Sequence, residues 1–380
     1  MAPLPDITTP DQSLIRILEM LGIEASCPGM GPSYSAIPGK DGPRWLIPNR
    51  NQFARTILRE WRPYSLAGRL GWTAIRVLVR LDALLLLPGT LQIELPTTAG
   101  RHLLRQFGLE ADVHPPVILV GNPSPTRKVI VFLACPGKRL KAVLKFPFTL
   151  AARASIRNEA ETLRKLDGRH RTPRLLHYSE QSGAAMQEYL PGKLGSRLCK
   201  QDYLRLLIEL ASADEVESIR DRGLLLAERL RSQAVYNEHA YNLDAALASL
   251  HQDAVVPTAL VHGDFAPWNI RELDSGSCTL IDWETAEWNG MPMHDLCHFF
   301  YIQTKLFSPD KLFYTALLRE GSWRKYCHAL NLPLTLVPQL AVAFLLDTLA
   351  GCWEAGNIPS ASFCLSQLQL LLRRAGKTAA

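Results

Sequence analysis

The sequence lacks the cysteine spacing that marks a structural zinc site or a disulfide framework. Its eight cysteines are scattered, and no two of them form a C-x-x-C pair. Cysteines of this kind are typical of small buried residues in a reducing compartment. The N-terminus also lacks a basic segment followed by an apolar stretch, which argues against a secretory signal. We therefore expect a cytoplasmic protein.

The sequence also lacks a long apolar run that is free of charge. The longest candidate, residues 70–87, contains Arg76, Arg80 and Asp82. Each of these side chains costs about 2.5 to 3.5 kcal/mol near the centre of a bilayer. The composition therefore predicts no transmembrane segment.

The chain has little excess charge, but that charge is unevenly distributed. The 42 basic and 36 acidic residues give a net charge of +6, which is too modest for a dedicated nucleic-acid binder. Residues 114–190 carry 13 basic and 5 acidic side chains, whereas residues 191–380 carry 17 and 21. A basic segment followed by an acidic one is expected where an anionic ligand meets a region that binds cations.

The 380 residues, 47% of them apolar, are enough for two or three folding units. Residues 28–48 hold nine Pro or Gly, which predicts an ordered loop or linker rather than a helix or strand. Two helical patterns follow at about 51–61 and 66–86, separated by Pro63. We treat residues 1–113 as an N-terminal extension that is loop-rich and then helical.

Arginines dominate the charge of this extension. Arg69, Arg76 and Arg80 fall within about 40° of one another around the second predicted helix. The pattern favours a helix that docks on the rest of the protein with a solvated basic edge, over the alternative of a surface for peripheral membrane contact or an anionic substrate. Within residues 44–80 only Glu60 opposes eight arginines, namely Arg44, Arg50, Arg55, Arg59, Arg62, Arg69, Arg76 and Arg80.

From residue 117 the apolar pattern takes the period of strands. VILVG and KVIVFLAC flank a turn, GKRLKAVLKF supplies a third strand, a helix follows at about 150–166, and LLHYSE and AAMQEYL are two further short strands. From Pro191 onward helical patterns dominate, except over 259–283. This order predicts an α+β protein with a small antiparallel sheet followed by a mostly helical half.

The most informative stretch is VHGDFAPWN at 261–269, which is followed by the apolar strand LIDWE. Asp264 and Asn269 lie five residues apart in one loop, and Asp282 ends the later strand. The segment between them predicts a hairpin that turns at 274–276 and returns Asp282 to the side of Asn269. Asp282 and Asn269 would then offer oxygen ligands to a hard cation such as Mg²⁺, while Asp264 stays free to accept a proton.

These motifs resemble those of the aminoglycoside phosphotransferase and choline kinase-like enzymes, relatives of protein kinases. The resemblance rests on VHGDFAPWN and on IDWETAEWNGMPMHDL at 281–296, with support from LKF, NEAETLRKL and EYLPG, and it covers about residues 115–375. It implies a two-lobed protein-kinase-like fold. Residues 114–190 would form the nucleotide-binding N-lobe, and residues 191–380 the helical C-lobe with the catalytic loop and the acceptor site.

The resemblance also implies an activity: ATP- and Mg²⁺-dependent phosphorylation of a hydroxyl on a small molecule such as a sugar, an amino alcohol, an aminoglycoside or a lipid-linked saccharide. Asp264 becomes the catalytic base, and Asn269 and Asp282 become the Mg²⁺ ligands. Phosphoryl transfer needs positioning and charge neutralisation more than covalent participation, and these residue types supply both.

In the N-lobe the resemblance makes Lys145 the partner of the α and β phosphates of the nucleotide, with Lys141 on the same strand face as its competitor. Glu159 would pair with that lysine and hold it toward the phosphates. Glu161 lies about 200° away around the helix, so we expect it to be solvated.

Other nucleotide contacts are less specific. The loop GNPSPTRK lacks G-x-G-x-x-G. Asn122 and Ser124 are phosphate-binding candidates there, although a plain polar turn explains them equally well. Glu188 and Tyr189 lie where relatives have the hinge whose backbone binds the adenine edge, a mode that does not separate ATP from GTP.

Supporting residues complete the expected site. His262 packs under the catalytic loop with Asp295 as its hydrogen-bond partner, and both Glu284 and Glu287 are candidates to face the acceptor or the cation. Four carboxylates farther upstream predict a solvated helix face rather than a site for a polycationic sugar: Asp214, Glu215, Glu217 and Asp221.

Two other functions compete with a small-molecule kinase. A catalytically silent nucleotide-binding protein, used for regulation or assembly, would be favoured if the base or a metal ligand were missing, but Asp264, Asn269, Asp282 and Lys145 are all present. A protein kinase is disfavoured because no A-P-E-like anchor follows Asp282.

Overall fold

The computed structural model describes residues 10–23, 31–61, 63, 66–135, 141–251 and 253–378. The chain divides into two compact units. The first unit comprises Met1–Leu194 together with Thr279–Glu284, and the second comprises Gly195–Cys278 together with Thr285–Ala380.

An antiparallel sheet of eight strands forms the centre of the first unit. Its strand order is β3-β1-β2-β4-β5-β6-β8-β7. The strands are β1 Ser33–Gly39, β2 Gly42–Pro48, β3 Leu91–Glu94, β4 Val117–Val120, β5 Lys128–Ala134, β6 Lys141–Pro147, β7 Leu175–Tyr178 and β8 Ala185–Glu188. The five strands predicted after residue 117 are confirmed, and the sheet is larger than expected because three earlier strands join it.

The loop predicted over residues 28–48 is wrong where the structure describes it, because β1 and β2 form a hairpin. The prolines and glycines lie where a strand tolerates them. Gly42 takes a φ of 97° at the turn, the register shifts between Ile37 and Pro38, and Pro48 ends β2. Proline is tolerated at bulges and strand ends because no ladder hydrogen bond is lost there.

Helices cover both faces of this sheet. Along β4, Ile118 belongs to a core with Ile17 and Leu103, whereas its neighbour Leu119 belongs to a second core with Ile57, as strand alternation requires. The helices are α1 Pro10–Met20, α2 Gln52–Glu60, α3 Leu66–Arg80, α4 Ala99–Arg105 and α5 Leu150–Leu166, with short 3-10 turns at Leu84–Leu86 and Arg169–Arg171.

The predicted helices of this unit are confirmed, with one shorter end. Asn51 and Thr149 cap α2 and α5 by accepting hydrogen bonds from backbone N–H groups three residues later. The pattern predicted to run to residue 86 breaks after Arg80, and a 3-10 turn follows at Leu84–Leu86. Arg62 lies outside the described residues.

The second unit is mostly helical around a three-stranded antiparallel sheet in the order β10-β11-β14. Its strands are β10 Ala211–Ser218, β11 Val255–Val261 and β14 Glu287–Gly290, and the remaining short strands of the chain are β9 Lys193–Leu194, β12 Ile270–Glu272 and β13 Cys278–Leu280. The helices are α6 Gln201–Glu209, α7 Ile219–Arg231, α8 Tyr236–Ala248, α9 His294–Phe307, α10 Phe313–Glu320, α11 Ser322–Ala329, α12 Val337–Glu354 and α13 Ile358–Thr378, with a 3-10 turn at Leu334–Leu336.

The acidic stretch at 214–221 is not one helix face. Glu215 and Glu217 lie on β10, and Asp221 lies in the first turn of α7, which Ser218 caps. The side chain of Asp214 lies outside the described residues. Pairing with the apolar strand β11 overrides the weak strand propensity of these carboxylates.

One segment, Leu334–Glu354, is long and apolar enough to cross a membrane by length and composition. In the structure 61% of its apolar window is buried, and its helix α12 supplies core residues such as Leu345 and Leu346. This is the pattern of a central core helix.

Candidate active site

A buried lysine on β6 is the centre of a charged cluster in the first unit. Leu144 points into the core with Ile17, so strand alternation turns Lys145 to the other face. Lys145 Nζ lies 2.7 Å from Glu159 Oε2 on α5, and these side chains are only 5% and 1% exposed. Glu161 is 56% exposed, and the side chain of Lys141 lies outside the described residues.

Three further charged groups join Lys145. Its Nζ donates to Asp282 Oδ1 at 2.6 Å and to Glu284 Oε1 at 3.1 Å. Lys128 at the start of β5 donates to Glu284 and lies 3.4 Å from Asp282 Oδ1. Ile130 is paired with Lys145 across the two strands, and Lys128 lies two residues before it. The two lysines therefore share one face of the sheet.

Neighbouring charges set the protonation of this cluster. Burial alone would lower the pKa of Lys145, but Asp282, Glu159 and Glu284 raise that pKa well above its usual range. Burial would raise the pKa of Asp282, but Lys145 and Lys128 hold it below its usual range. Burial raises the pKa of Glu159 to about 7, because the attraction of Lys145 offsets only part of the desolvation. Lys145 is therefore charged and Asp282 ionised near pH 7.

The carboxylates of this cluster also suit a divalent cation. One oxygen from each of Glu159, Asp282 and Glu284 lies within 4.8 Å of the others. Mg²⁺ prefers oxygen ligands and takes few of them from the protein, since water and phosphate complete its shell. Asp282 is the most accessible of the three, with 34% of its side chain exposed. Asp282 and Glu284 are thus the groups that could hold the ion in this unit.

In the second unit, the buried carboxylate of Asp295 holds the loop that carries Asp264 through hydrogen bonds. The backbone N–H groups of His262 and Gly263 donate to Asp295 on α9 at 2.7 and 3.0 Å. The N–H of Asp264 donates to Nδ1 of the fully buried His262 at 3.3 Å. Gly263 has a φ of 81°, and a Cβ there would lie 2.4 Å from the carbonyl oxygen of Thr285. Only glycine fits this turn.

Asn269 holds Asp264 from the other end of the loop. Its Nδ2 donates to the backbone oxygen and to Oδ2 of Asp264, both at 2.9 Å. Among the residues that the structure describes, Asn269 Oδ1 has no hydrogen-bond partner, so it could ligate a cation. The predicted hairpin turn is confirmed, because Leu273 N–H donates to the carbonyl oxygen of Ser277 at 2.8 Å. That Asp282 neighbours Asn269 stays a prediction.

A neutral histidine on α9 lies beside Asp264. His298 Nε2 is 3.7 Å from Asp264 Oδ1, and Nδ1 is 3.3 Å from the carbonyl oxygen of Phe265. Burial, helped by the repulsion of His294, lowers the pKa of His298 to about 3. A neutral ring that donates from Nδ1 to this carbonyl turns the lone pair of Nε2 toward Asp264. His298 therefore forms no ion pair with the Asp264 carboxylate near pH 7.

A small cavity lies one helical turn along α9, at His294. Its walls combine apolar side chains such as Phe344 with charged groups, among them Glu287 and Asp347. His294 Nε2 is 3.3 Å from Asp347 Oδ2, while its buried Nδ1 has no hydrogen-bond partner among the described residues. The rings of His294 and His298 both contact Phe344. The cavity and Asp264 thus lie along the same face of α9.

The remaining predicted nucleotide contacts lie in the loop after β4 and at the end of β8. Asn122 and Ser124 are exposed in the loop between β4 and β5. Glu188 ends β8, and its Oε2 accepts a long hydrogen bond from a backbone N–H at 3.4 Å. Tyr189 packs against the ring of Phe132 and bonds through its hydroxyl to Glu60.

Sequence reasoning missed Lys128 and His298. For Lys128 a signal existed, since it opens the strand paired with that of Lys145 and shares its alternation. For His298 the spacing showed only that it shares a helix face with His294. The sequence did not show which of Glu284 and Glu287 faces the acceptor or the cation. The structure distinguishes them, because Glu287 bonds to Arg222 at 3.0 Å rather than to the lysines.

Several solved structures are similar to this chain. Two solved structures of a thermostable mutant of aminoglycoside phosphotransferase APH(4)-Ia, one apo and one in a ternary complex with ADP and hygromycin B, share 14% and 16% identity with this chain. They cover 72% and 73% of this chain and 98% of their own, each with a TM-score of 0.50. Choline kinase LicA from Streptococcus pneumoniae shares 16% identity, covering 64% of this chain and 88% of its own with a TM-score of 0.44.

At such identities the APH(4)-Ia structures speak for the fold alone, and they confirm the predicted α+β, protein-kinase-like architecture. No curated protein sequence matches the chain. A profile described as the phosphotransferase enzyme family matches residues 131–327, which is more than half of the 380 residues. This protein is therefore a member of the phosphotransferase enzyme family.

Proposed function

We propose that the protein is an ATP- and Mg²⁺-dependent kinase that phosphorylates a hydroxyl group of a small molecule. The observation that carries the proposal is Lys145, a charged side chain only 5% exposed and held 2.7 Å from Glu159 and 2.6 Å from Asp282. Burying a charge is costly, and a lysine kept charged in this way suits the binding of phosphate groups.

In this proposal Lys145 and Lys128 bind the phosphates of the nucleotide. Asp282 and Glu284, which the lysines hold in the structure, would hold Mg²⁺ together with Asn269. Bound Mg²⁺ would supply charge neutralisation on the phosphate oxygens. Glu159 orients Lys145 from beneath, because it is the most buried partner of the ammonium group.

Asp264 takes the role of general base. The acceptor hydroxyl oxygen forms the new bond to the γ-phosphorus, the bond to the ADP leaving group breaks, and the hydroxyl proton passes to the carboxylate. Asn269 donates a hydrogen bond to Oδ2 of Asp264, which favours Oδ1 as the oxygen that accepts the proton. The neutral His298 beside Oδ1 does not withdraw that oxygen into an ion pair.

The cavity at His294 is our candidate for the acceptor site. The wall offers an aromatic ring, Phe344, beside Asp347 and the ion pair of Glu287 with Arg222. Because both signs of charge line the wall, it suits a polar hydroxyl compound and selects no charge class of acceptor.

ATP consumption across a panel of sugars, amino alcohols, aminoglycosides and lipid-linked saccharides tests the proposal, with mass spectrometry to locate the transferred phosphate. We expect ADP formation that requires Mg²⁺ and one class of acceptor. Tight Mg²⁺-ATP binding without transfer to any acceptor would instead support the catalytically silent nucleotide-binding protein.

A further inference from the structure

Helix α3 exposes a stripe of large apolar side chains. Leu70, Val77 and Leu81 fall within about 40° of one another around the helix axis, and they are 46% to 69% exposed. Leu85 and Leu86, both in the 3-10 turn that follows, are 48% and 76% exposed. Apolar residues exposed singly are ordinary, but five of them within residues 70–86 form a concentrated apolar surface.

This stripe is not the face by which α3 docks on the sheet. Trp72 and Val79 on the inner side of the helix are buried in one core with Trp45 of β2 and Leu58 of α2. Trp72 Nε1 donates to the carbonyl oxygen of Leu58 at 3.0 Å. Internal docking, one of the two readings of this helix from the sequence, is therefore confirmed for its inner face. The outward stripe still needs an explanation.

Four arginines lie together beside the stripe. Arg55, Arg59, Arg76 and Arg80 line a shallow cleft between α2 and α3. Arg55 lies 3.7 Å from Asp82. The side chains of the other three make no ion pair or hydrogen bond within the described part of the chain. Neighbouring guanidinium groups repel one another, and a partner with negative charge would relieve that repulsion.

We propose that the outer face of α3, formed by Leu70, Val77, Leu81, Leu85 and Leu86 with Arg59, Arg76 and Arg80, docks on an anionic lipid bilayer. The leucines and valine enter the boundary between headgroups and acyl chains, and the guanidinium groups bind acidic headgroups. A soluble anion would pair the arginines but leave the apolar stripe in water. A second copy of the chain would cover the stripe but bring two sets of arginines together.

Co-sedimentation of the full-length protein with lipid vesicles tests this inference, which is independent of the proposed transfer reaction. We expect binding to phosphatidylcholine vesicles that contain phosphatidylglycerol, none to phosphatidylcholine alone, and weaker binding as salt rises to physiological strength. Changing Arg59, Arg76 and Arg80 together to Gln should lower the affinity by about a hundredfold, at roughly fivefold for each arginine. Changing Arg319, Arg324 and Lys325 to Gln removes equal charge from exposed positions elsewhere and should leave binding unchanged.

A second variant tests the apolar half of the outer face of α3. Leu81→Gln with Leu86→Gln keeps every charge and should weaken vesicle binding more than tenfold. None of the substituted side chains is buried, so the variants should unfold at the wild-type temperature.

Three results would overturn the inference. The first is an absence of binding to anionic vesicles at low salt. The second is vesicle binding that the double Leu variant leaves unchanged, which would indicate a site for soluble anions. The third is a wild-type protein that light scattering shows to be a dimer and that does not bind vesicles, together with a double Leu variant that is a monomer.

Discussion

Replacing Lys145 with methionine should make the stability of the protein depend on pH in a way that a second substitution, Glu159→Gln, abolishes. Lys145 Nζ is the closest cation to Glu159, whose side chain is only 1% exposed. Methionine has a similar length and no charge. The variant therefore leaves the Glu159 carboxylate buried without its counter-ion.

The size of the effect follows from the pKa of Glu159. An uncompensated buried charge costs about 3 to 5 kcal/mol. Glu159 can avoid part of this cost by taking a proton, because its pKa is already about 7 and rises further without Lys145. Below that raised pKa and above the unfolded value of about 4.3, the folded state holds a proton that the unfolded chain has released. Stability then falls with rising pH, by up to about 1.4 kcal/mol per pH unit.

In the wild type, the fall in stability that Glu159 causes as the pH rises ends near pH 7, whereas in Lys145→Met it continues at higher pH. In urea unfolding, the free energy of unfolding of Lys145→Met should therefore fall further below that of the wild type, by about 2 kcal/mol more at about pH 8.5 than at pH 7. The double variant should lose this pH dependence, and Lys325→Met, at an exposed lysine of α11, should show none. The reasoning would be refuted if the difference in free energy of unfolding were equal at both pH values. It would also be refuted if the pH dependence remained in the variant that also carries Glu159→Gln.

Two further predictions test the metal ligand and the catalytic loop. Asp282→Ala should abolish Mg²⁺-dependent nucleotide binding in calorimetry, since the most exposed carboxylate of the cluster is lost; unchanged affinity would exclude the metal role. Gly263→Ala should lower the free energy of unfolding by more than about 1 kcal/mol, because its φ is positive and the new Cβ meets Thr285. Gly71→Ala on α3, where nothing lies within 4 Å of the added Cβ, should instead stabilise the protein slightly.

The fold was predictable from the sequence wherever a local pattern agreed with its tertiary setting. Strands β4 to β6 are short runs rich in Val, Ile, Leu and Phe, and α5 has a capping threonine followed by an apolar face. The hairpin of β1 and β2 was missed because a count of Pro and Gly ignores where in a strand they lie. Strand β10 was missed because its carboxylates gain their strand conformation from pairing with β11.

The candidate site was predictable to the extent that its residues lie close in sequence. Asp264 and Asn269 share one loop, and the structure bonds them directly. Lys145 and Glu159 follow each other as strand and helix, and it was the family resemblance that predicted their pairing, because strand alternation alone could equally place Lys145 on an exposed face. Lys128 depends on strand register and His298 on how α9 packs beside the loop. For Lys128 the alternation of the paired strands was a signal that could have been used, whereas the packing of α9 leaves no mark in the local sequence.

The measurement that tests the central claim most directly compares wild type with Asp264→Asn in the rate of phosphoryl transfer to the acceptor, with ATP affinity measured in parallel. The substitution keeps the shape of the side chain and removes the basic carboxylate. We predict that turnover falls by about 10² or more while ATP affinity changes little. Wild-type turnover in Asp264→Asn would contradict the account.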